Sequence, residues 1–275
     1  MTHYVCTNCG FWQRRFAKPI TCPVCEDFRH PLPSDGYHFL AASEVDEAYR
    51  TVIDEPLAGI FRFTCTPSIG IGSCGWLLCT DAGNVHFEGT GWYDAVALDF
   101  IAARGGVPFL SASHPHVYGA LWQLADRFKP EVALHIDDLN FAQAFHVDMP
   151  FDDRWPLLPD VDLHHTGGHT PGHAVLHCRS RRLLMAGDSL KFTFAEAGQT
   201  VGEPVTVSCH AAFDAHVPLS HGQVRRYRDV LEPLDFDATL TPWEVVLRGG
   251  KRAALSLFER QLAGKPSADC MRIEP

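Results

Sequence analysis

The chain has 275 residues, 46% of them apolar and 20% charged, with a formal charge of −10. That composition describes an ordinary globular protein with ample material for a core, and the acidic balance argues against nucleic acid or an anionic membrane surface as partner. No apolar run reaches the length of a membrane span and the start, MTHYVCTNCG, lacks the features of a signal peptide, so the ten cysteines are expected reduced in the cytoplasm.

Residues 1–35 form the first expected unit. Cys6-Thr-Asn-Cys9 and Cys22-Pro-Val-Cys25 are two Cys-x-x-Cys knuckles separated by twelve residues, followed by Pro31 and Pro33. Four thiolates so placed can wrap one tetrahedral ion, and a unit too short for a core needs that ion to fold. The other six cysteines are scattered through apolar segments, where a small buried hydrophobe is the expected role. The segment resembles the rubredoxin-like module of rubrerythrins and the zinc ribbons, which implies zinc or iron. Glu26 stands where that module usually has glycine after its last cysteine.

Residues 36–275 form the second expected unit. A helix is predicted from Ser43, as N-cap, to about Ile53. Strands follow at 60–66, 75–80 and 84–88, the last two joined as a hairpin through Asp81-Ala-Gly-Asn84. A helix over 94–104 stops at Gly105-Gly106, and a short strand, 107–111, leads into the loop SASHPHVYGAL. Helices are expected at 118–128 and 138–145 around a strand at 132–136, then strands at 162–165, 173–178, 182–186 and 205–209. Helices at 220–231 and 251–262 flank a last strand at 238–241. Two sheets with outer helices suit this order.

The chemistry concentrates in four residues. His114 and His116 form a His-x-His pair, His169 lies in a Gly-Gly-His-Thr-Pro-Gly turn, and Asp188 follows in Gly-Asp-Ser. Three imidazoles and a carboxylate, each on a turn that closes an apolar strand, suit a borderline metal such as zinc or iron.

With those residues in place, 36–275 resembles the metallo-β-lactamase superfamily, especially its glyoxalase II-like branch. The resemblance implies an α/β fold, a four-layer αββα sandwich with a metal cleft, here with the small four-cysteine knuckle at its N-terminus. The family's His-x-His-x-Asp-His loop falls on His114-Pro-His116-Val-Tyr118-Gly119, its Pro-Gly-His turn on Gly168-His169, and its Gly-Asp turn on Gly187-Asp188. Its strand ending Asp-x-Gly falls on Phe87-Glu88-Gly89-Thr90-Gly91, and its closing Pro-Gly-His-Gly on Pro242-Trp243-Glu244-Val245. The first metal site thus keeps His114, His116 and His169. The second keeps only the bridging Asp188, because Tyr118 and Gly119 replace the loop Asp and His, and Glu244 or Trp243 replaces the last His.

A mononuclear site is therefore expected, competent for hydrolysis of an ester, thioester or lactone as small-molecule substrate. Asp188 would orient or deprotonate the attacking water, and Tyr118 would donate to a developing oxyanion. Glu244 is a candidate extra ligand or base, Trp243 a candidate filler of the vacated second site, and Glu88 a support behind the histidine loop. Two other readings stand beside the hydrolase. One is a non-haem iron oxygenase on a sulfur substrate, since one histidine of the pair with His169 and Asp188 makes a two-His-one-carboxylate set like that of the superfamily's persulfide dioxygenases. The other is a non-catalytic metal-binding protein that meets a partner, or a second copy of itself, through the knuckle. His173 and His177 are expected to be framework histidines, and His165 a contact behind the metal ligands.

Overall fold

The computed structural model describes every residue except Phe28, His30, Asp214, Glu274 and Pro275. The chain forms two compact units, Met1–Phe151 and Asp152–Pro275.

The first unit opens with a small sheet. Strand Thr2–Cys6 lies between Trp12–Arg15 and Phe39–Ala41, antiparallel to both. Its main sheet has seven strands in the order Met149–Phe151, Glu131–His135, Phe109–Ser111, Gly83–Phe87, Gly75–Thr80, Ile60–Thr66, Arg50–Leu57. The first four run parallel and the rest antiparallel. Helix Ala95–Ala102 supplies the crossover that two adjacent parallel strands require, between Gly83–Phe87 and Phe109–Ser111. Asp94 caps this helix by accepting from the Ala97 N–H at 2.9 Å. The hairpin is tighter than expected: Thr80 pairs with Gly83, leaving Asp81-Ala82 as a two-residue turn.

The helix expected from Ser43 to about Ile53 is shorter. It spans Ala42–Ala48 with Ala41 as N-cap, whose N–H donates to the Glu44 carboxylate at 2.7 Å. Thr51, Val52 and Ile53 instead pair with Cys65, Thr64 and Phe63. β-Branched residues fit a pleated edge better than a helix interior, and the neighbouring strand supplies the ladder. The helix expected over 138–145 is a 3-10 segment, Ile136–Phe141, and Leu121–Phe128 is preceded by a separate 3-10 turn, Pro115–Val117. Knuckle and main sheet share one core. Val5, Phe11, Trp12 and the four knuckle cysteines are buried in the same cluster as Phe63, Leu77, Tyr93 and Leu110.

The second unit carries a seven-stranded sheet in the order Arg154–Leu158, Val161–His165, Ala174–Cys178, Leu183–Met185, Ala238–Leu240, Val245–Val246, Val201–Gly202. A smaller sheet joins Lys191–Thr193, Thr206–Ser208 and Met271–Arg272. Helices His221–Leu231 and Gly250–Ala263 bury Val224, Tyr227, Leu231, Leu257 and Phe258 against Val175, Leu184 and Val246. Ser220 and Gln223 close the first of these helices with a capping box. Among the described residues, no helix is long and apolar enough to cross a membrane.

Candidate metal centres

The cysteine centre is built from two turns with the same closure. The Gly10 N–H donates to the Cys6 carbonyl at 2.8 Å, and the Glu26 N–H donates to the Cys22 carbonyl at 3.0 Å. Gly10 needs its positive φ of 87°, whereas Glu26 does not enter the left-handed region, so that turn has no requirement for glycine. The four sulfurs are buried and mutually within 4.8 Å. Cys6 Sγ lies 3.8 Å from Cys25 Sγ, and Cys9 Sγ 3.6 Å from Cys22 Sγ. A tetrahedron with metal–sulfur bonds of about 2.3 Å has edges of about 3.8 Å, so the donor set fits one such ion. No disulfide joins any of the ten cysteines. Asn8 Nδ2 donates to Cys25 Sγ at 3.3 Å, a hydrogen bond that favours the thiolate.

The first unit also presents the histidine pair. Strand Phe109–Ser111 lies inside the sheet, and the chain leaving it is held by Glu88, whose Oε2 accepts from the Ser113 N–H at 3.0 Å. Ser113 Oγ then bonds His114 Nδ1 at 2.7 Å, so Nε2 is the candidate ligand atom. Pro115 opens the single 3-10 turn that carries His116, and the two imidazoles are buried with centroids 5.0 Å apart. Tyr118 is buried with its ring edge-on to Phe145, and burial pushes its hydroxyl far above the usual tyrosine range. Glu88 is also fully buried, at a φ of 64°, and desolvation raises its carboxyl to about 8.

The second unit presents an imidazole and a carboxylate. His169 sits on a turn in which Gly167 and Gly168 both have positive φ, 62° and 85°. A Cβ on Gly168 would overlap the Tyr227 ring, so glycine is required there for space as well as for conformation. His169 Nδ1 faces the His210 carbonyl at 3.3 Å, and its Nε2 lies 3.4 Å from Asp188 Oδ2. Asp188 rides the short 3-10 turn Gly187–Ser189 that follows strand Leu183–Met185 and is buried beside His169.

The remaining candidates are placed as follows. Glu244 is buried; the Thr241 hydroxyl donates to its carboxylate, and its own N–H donates back to Thr241 Oγ1 at 2.9 Å. Burial raises its carboxyl, while the Thr241 bond and the charge of Lys191 pull the other way. Trp243 is half-buried, with Lys191 Nζ 5.4 Å from its ring. His173 bonds Thr166 Oγ1 at 2.8 Å and Tyr227 OH at 3.2 Å, and burial drives its pKa far below the usual range. His177 Nε2 meets the Asp235 carbonyl at 2.8 Å, and His165 Nε2 meets that of Pro171 at 2.8 Å. His173 and His177 therefore serve the framework. Ser113, Thr241, Tyr227 and the His210 carbonyl escaped the sequence reading. Of these only Ser113 carried a local signal, as a hydroxyl beside a candidate ligand histidine.

No protein-family model matches the chain. It is 23% identical over 257 residues to the uncharacterized protein YmaE of Bacillus subtilis (strain 168), covering 90% of this chain and 91% of that one. The fold is that of the metallo-β-lactamases. The FIM-1 metallo-β-lactamase from Pseudomonas aeruginosa in its mono-zinc form superposes at a TM-score of 0.56 with 13% identity, covering 78% of this chain and 97% of that one. The DIM-1 metallo-β-lactamase exposed to ceftazidime gives a TM-score of 0.55 with 13% identity, covering 77% and 97%.

Proposed function

We propose that the protein is a metal-dependent hydrolase with one ion held by His114, His116 and His169, and with Asp188 beside it. The observation that carries this reading is the set of buried donors, His114 and His116 on one loop of the first unit and His169 beside Asp188 in the second, in a chain with the metallo-β-lactamase fold. Three imidazoles with an open position suit zinc, and an ion so held supplies Lewis acidity and brings the pKa of a water toward neutrality. A single ion fits the replacement of the second-site donors by Tyr118, Gly119, Trp243 and Glu244. The FIM-1 metallo-β-lactamase, described in its mono-zinc form, supports the reading of a single ion.

The chain's own residues divide the remaining work. Asp188 orients the attacking water and takes its proton. Tyr118, kept protonated by its burial, donates to the oxygen that gains charge. Glu244, held by Thr241, closes the wall beside Trp243, and the substrate is a small ester, thioester or lactone. The four-cysteine knuckle, residues 1–35, holds a structural zinc.

The test is elemental analysis of the native chain and of a variant with His114, His116 and His169 replaced by Ala, together with a thioester hydrolysis assay. Two zinc ions per native chain falling to one, with loss of hydrolysis in His169→Ala, is the expected result. One ion in both proteins removes the histidine centre from the mechanism. Iron in place of zinc at that centre transfers the reading to oxygen chemistry.

A further inference from the structure

Trp12 leaves the first cysteine turn on strand Trp12–Arg15 and is 2% exposed. Its indole N–H donates to the Gly91 carbonyl at 3.2 Å. Its ring stacks on Trp92 at 5.7 Å and leans against Trp122 at 5.5 Å. The segment it grips, 88–91, is also the back of the histidine loop. The Glu88 N–H donates to the Ser111 carbonyl at 3.1 Å, the Gly89 N–H to Val117 at 2.7 Å, and the Ala120 N–H to Thr90 at 2.8 Å. Glu88 Oε2 adds its bond from the Ser113 N–H. A Cβ on Gly89 would overlap the Tyr118 carbonyl, and one on Gly119 would overlap Thr90.

Segment 88–91 is thus clamped on one side by the histidine loop and on the other by the cysteine unit. A second contact reinforces the clamp. Gly70 lies so close to the Cys9–Gly10 backbone that no side chain fits there, and Ile69 of the same turn fills the space where a Gly91 side chain would go.

We propose that Trp12 is a positioning residue through which the four-cysteine centre sets the register of the His114–His116 loop. The inference rests on the reading of both clusters as metal ligands. Order at one centre then favours order at the other, and the coupling is reciprocal. The indole N–H is the specific link, because the neighbouring aromatic contacts supply packing without direction.

Hydrogen exchange on the full-length chain, purified with zinc, tests this directly. In Trp12→Phe, which keeps an aromatic ring but loses the donor, the amides of Gly89, Ser113 and Ala120 are expected to exchange roughly tenfold faster. In Phe11→Leu, which loosens knuckle packing against Phe141 without touching the Gly91 bond, they are expected to stay at the native rate. Native exchange in Trp12→Phe overturns the proposal, as does an equal rise in Phe11→Leu.

Cobalt titration gives the second readout. Thiolate charge-transfer absorption of the cysteine centre should be unchanged in Trp12→Phe, while cobalt affinity at the histidine centre falls about tenfold. Equal affinity at both centres in native and variant chains overturns the coupling. A native chain that binds only thiolate-ligated cobalt defeats the hydrolase reading instead, and the exchange rates still decide the role of Trp12.

Discussion

Glu88 holds the backbone of Ser113 from a buried position and a left-handed conformation: its Oε2 accepts from the Ser113 N–H at 3.0 Å while its own φ is 64°. A non-glycine residue in that region costs of order 1 kcal/mol or more, and the surrounding structure must enforce it. Here the enforcement is the pair of backbone bonds from Glu88 N–H to Ser111 and from Gly89 N–H to Val117. The residue that supports the histidine loop is therefore also one whose protonation the fold controls.

Two neighbouring groups give the first unit opposite dependences on pH. Burial lowers His86 from 6.5 to about 3, so between those values the unfolded chain holds a proton that the folded chain lacks, and stability rises with pH. Burial raises Glu88 from 4.5 to about 8, so between those values the folded chain holds the extra proton, and stability falls as pH rises. The two slopes oppose each other where the windows overlap. Urea midpoints measured across pH should show a broad maximum there and a decline toward pH 8. Glu88→Gln, which keeps an acceptor for Ser113, should abolish the decline. A variant that declines as steeply as the native chain would falsify the assignment to Glu88.

Gly89→Ala and Gly119→Ala each place a methyl group into a backbone carbonyl, of Tyr118 and Thr90 respectively. Neither obstacle can rotate away, so each substitution should cost about 3 kcal/mol or more. Loss of zinc from the proposed histidine centre should accompany the loss of stability. A thermal melt and zinc stoichiometry on each variant check both halves of this expectation.

Removal of metal from the proposed four-cysteine centre should destabilise the whole of Met1–Phe151 rather than unravel a separate tail. The four cysteines lie in the same buried cluster as Phe63, Leu77 and Tyr93 of the main sheet. Cys9→Ser or a strong chelator should lower stability by several kcal/mol. Protection of strand Gly75–Thr80 against hydrogen exchange should fall in parallel. Unchanged protection of that strand would show that the knuckle folds independently.

Gly168→Ala is expected to disturb His169 through two effects at once. The position has a φ of 85°, and the added Cβ meets the Tyr227 ring. A cost of about 2–4 kcal/mol follows from strain and overpacking together. Circular dichroism melts measure the cost. The double variant Gly168→Ala, Tyr227→Leu should recover the steric part alone, so full recovery would show that the left-handed φ contributes nothing.

Much of this molecule is legible in the chain because its signals are local. The Cys6/Cys9 and Cys22/Cys25 spacings announce two knuckles, and the structure brings their sulfurs together. Alternation in Ile60–Thr66 and the short apolar run Gly75–Thr80, with turn residues at 81–84, announce antiparallel strands that pair as a sheet. The histidine motifs and the Gly-Asp turn stand at strand ends for the same reason: short-range patterning sets where a strand stops.

The rest was decided at long range. The run Arg50–Leu57 follows a helix-like start, yet its β-branched residues became a strand because Ile60–Thr66 offers a ladder. The resemblance marks Glu88 as a support of the histidine loop, but its left-handed conformation and its bond to Ser113, twenty-five residues away, are set by the tertiary structure. Trp12 reads as one more core aromatic until its N–H is seen on Gly91, seventy-nine residues on. Sequence alone determined which donors exist and on which turns they ride, because those depend on neighbours in the chain. Only the tertiary structure decided what braces each turn, because a buried polar group takes whichever distant partner the packing brings within hydrogen-bond reach.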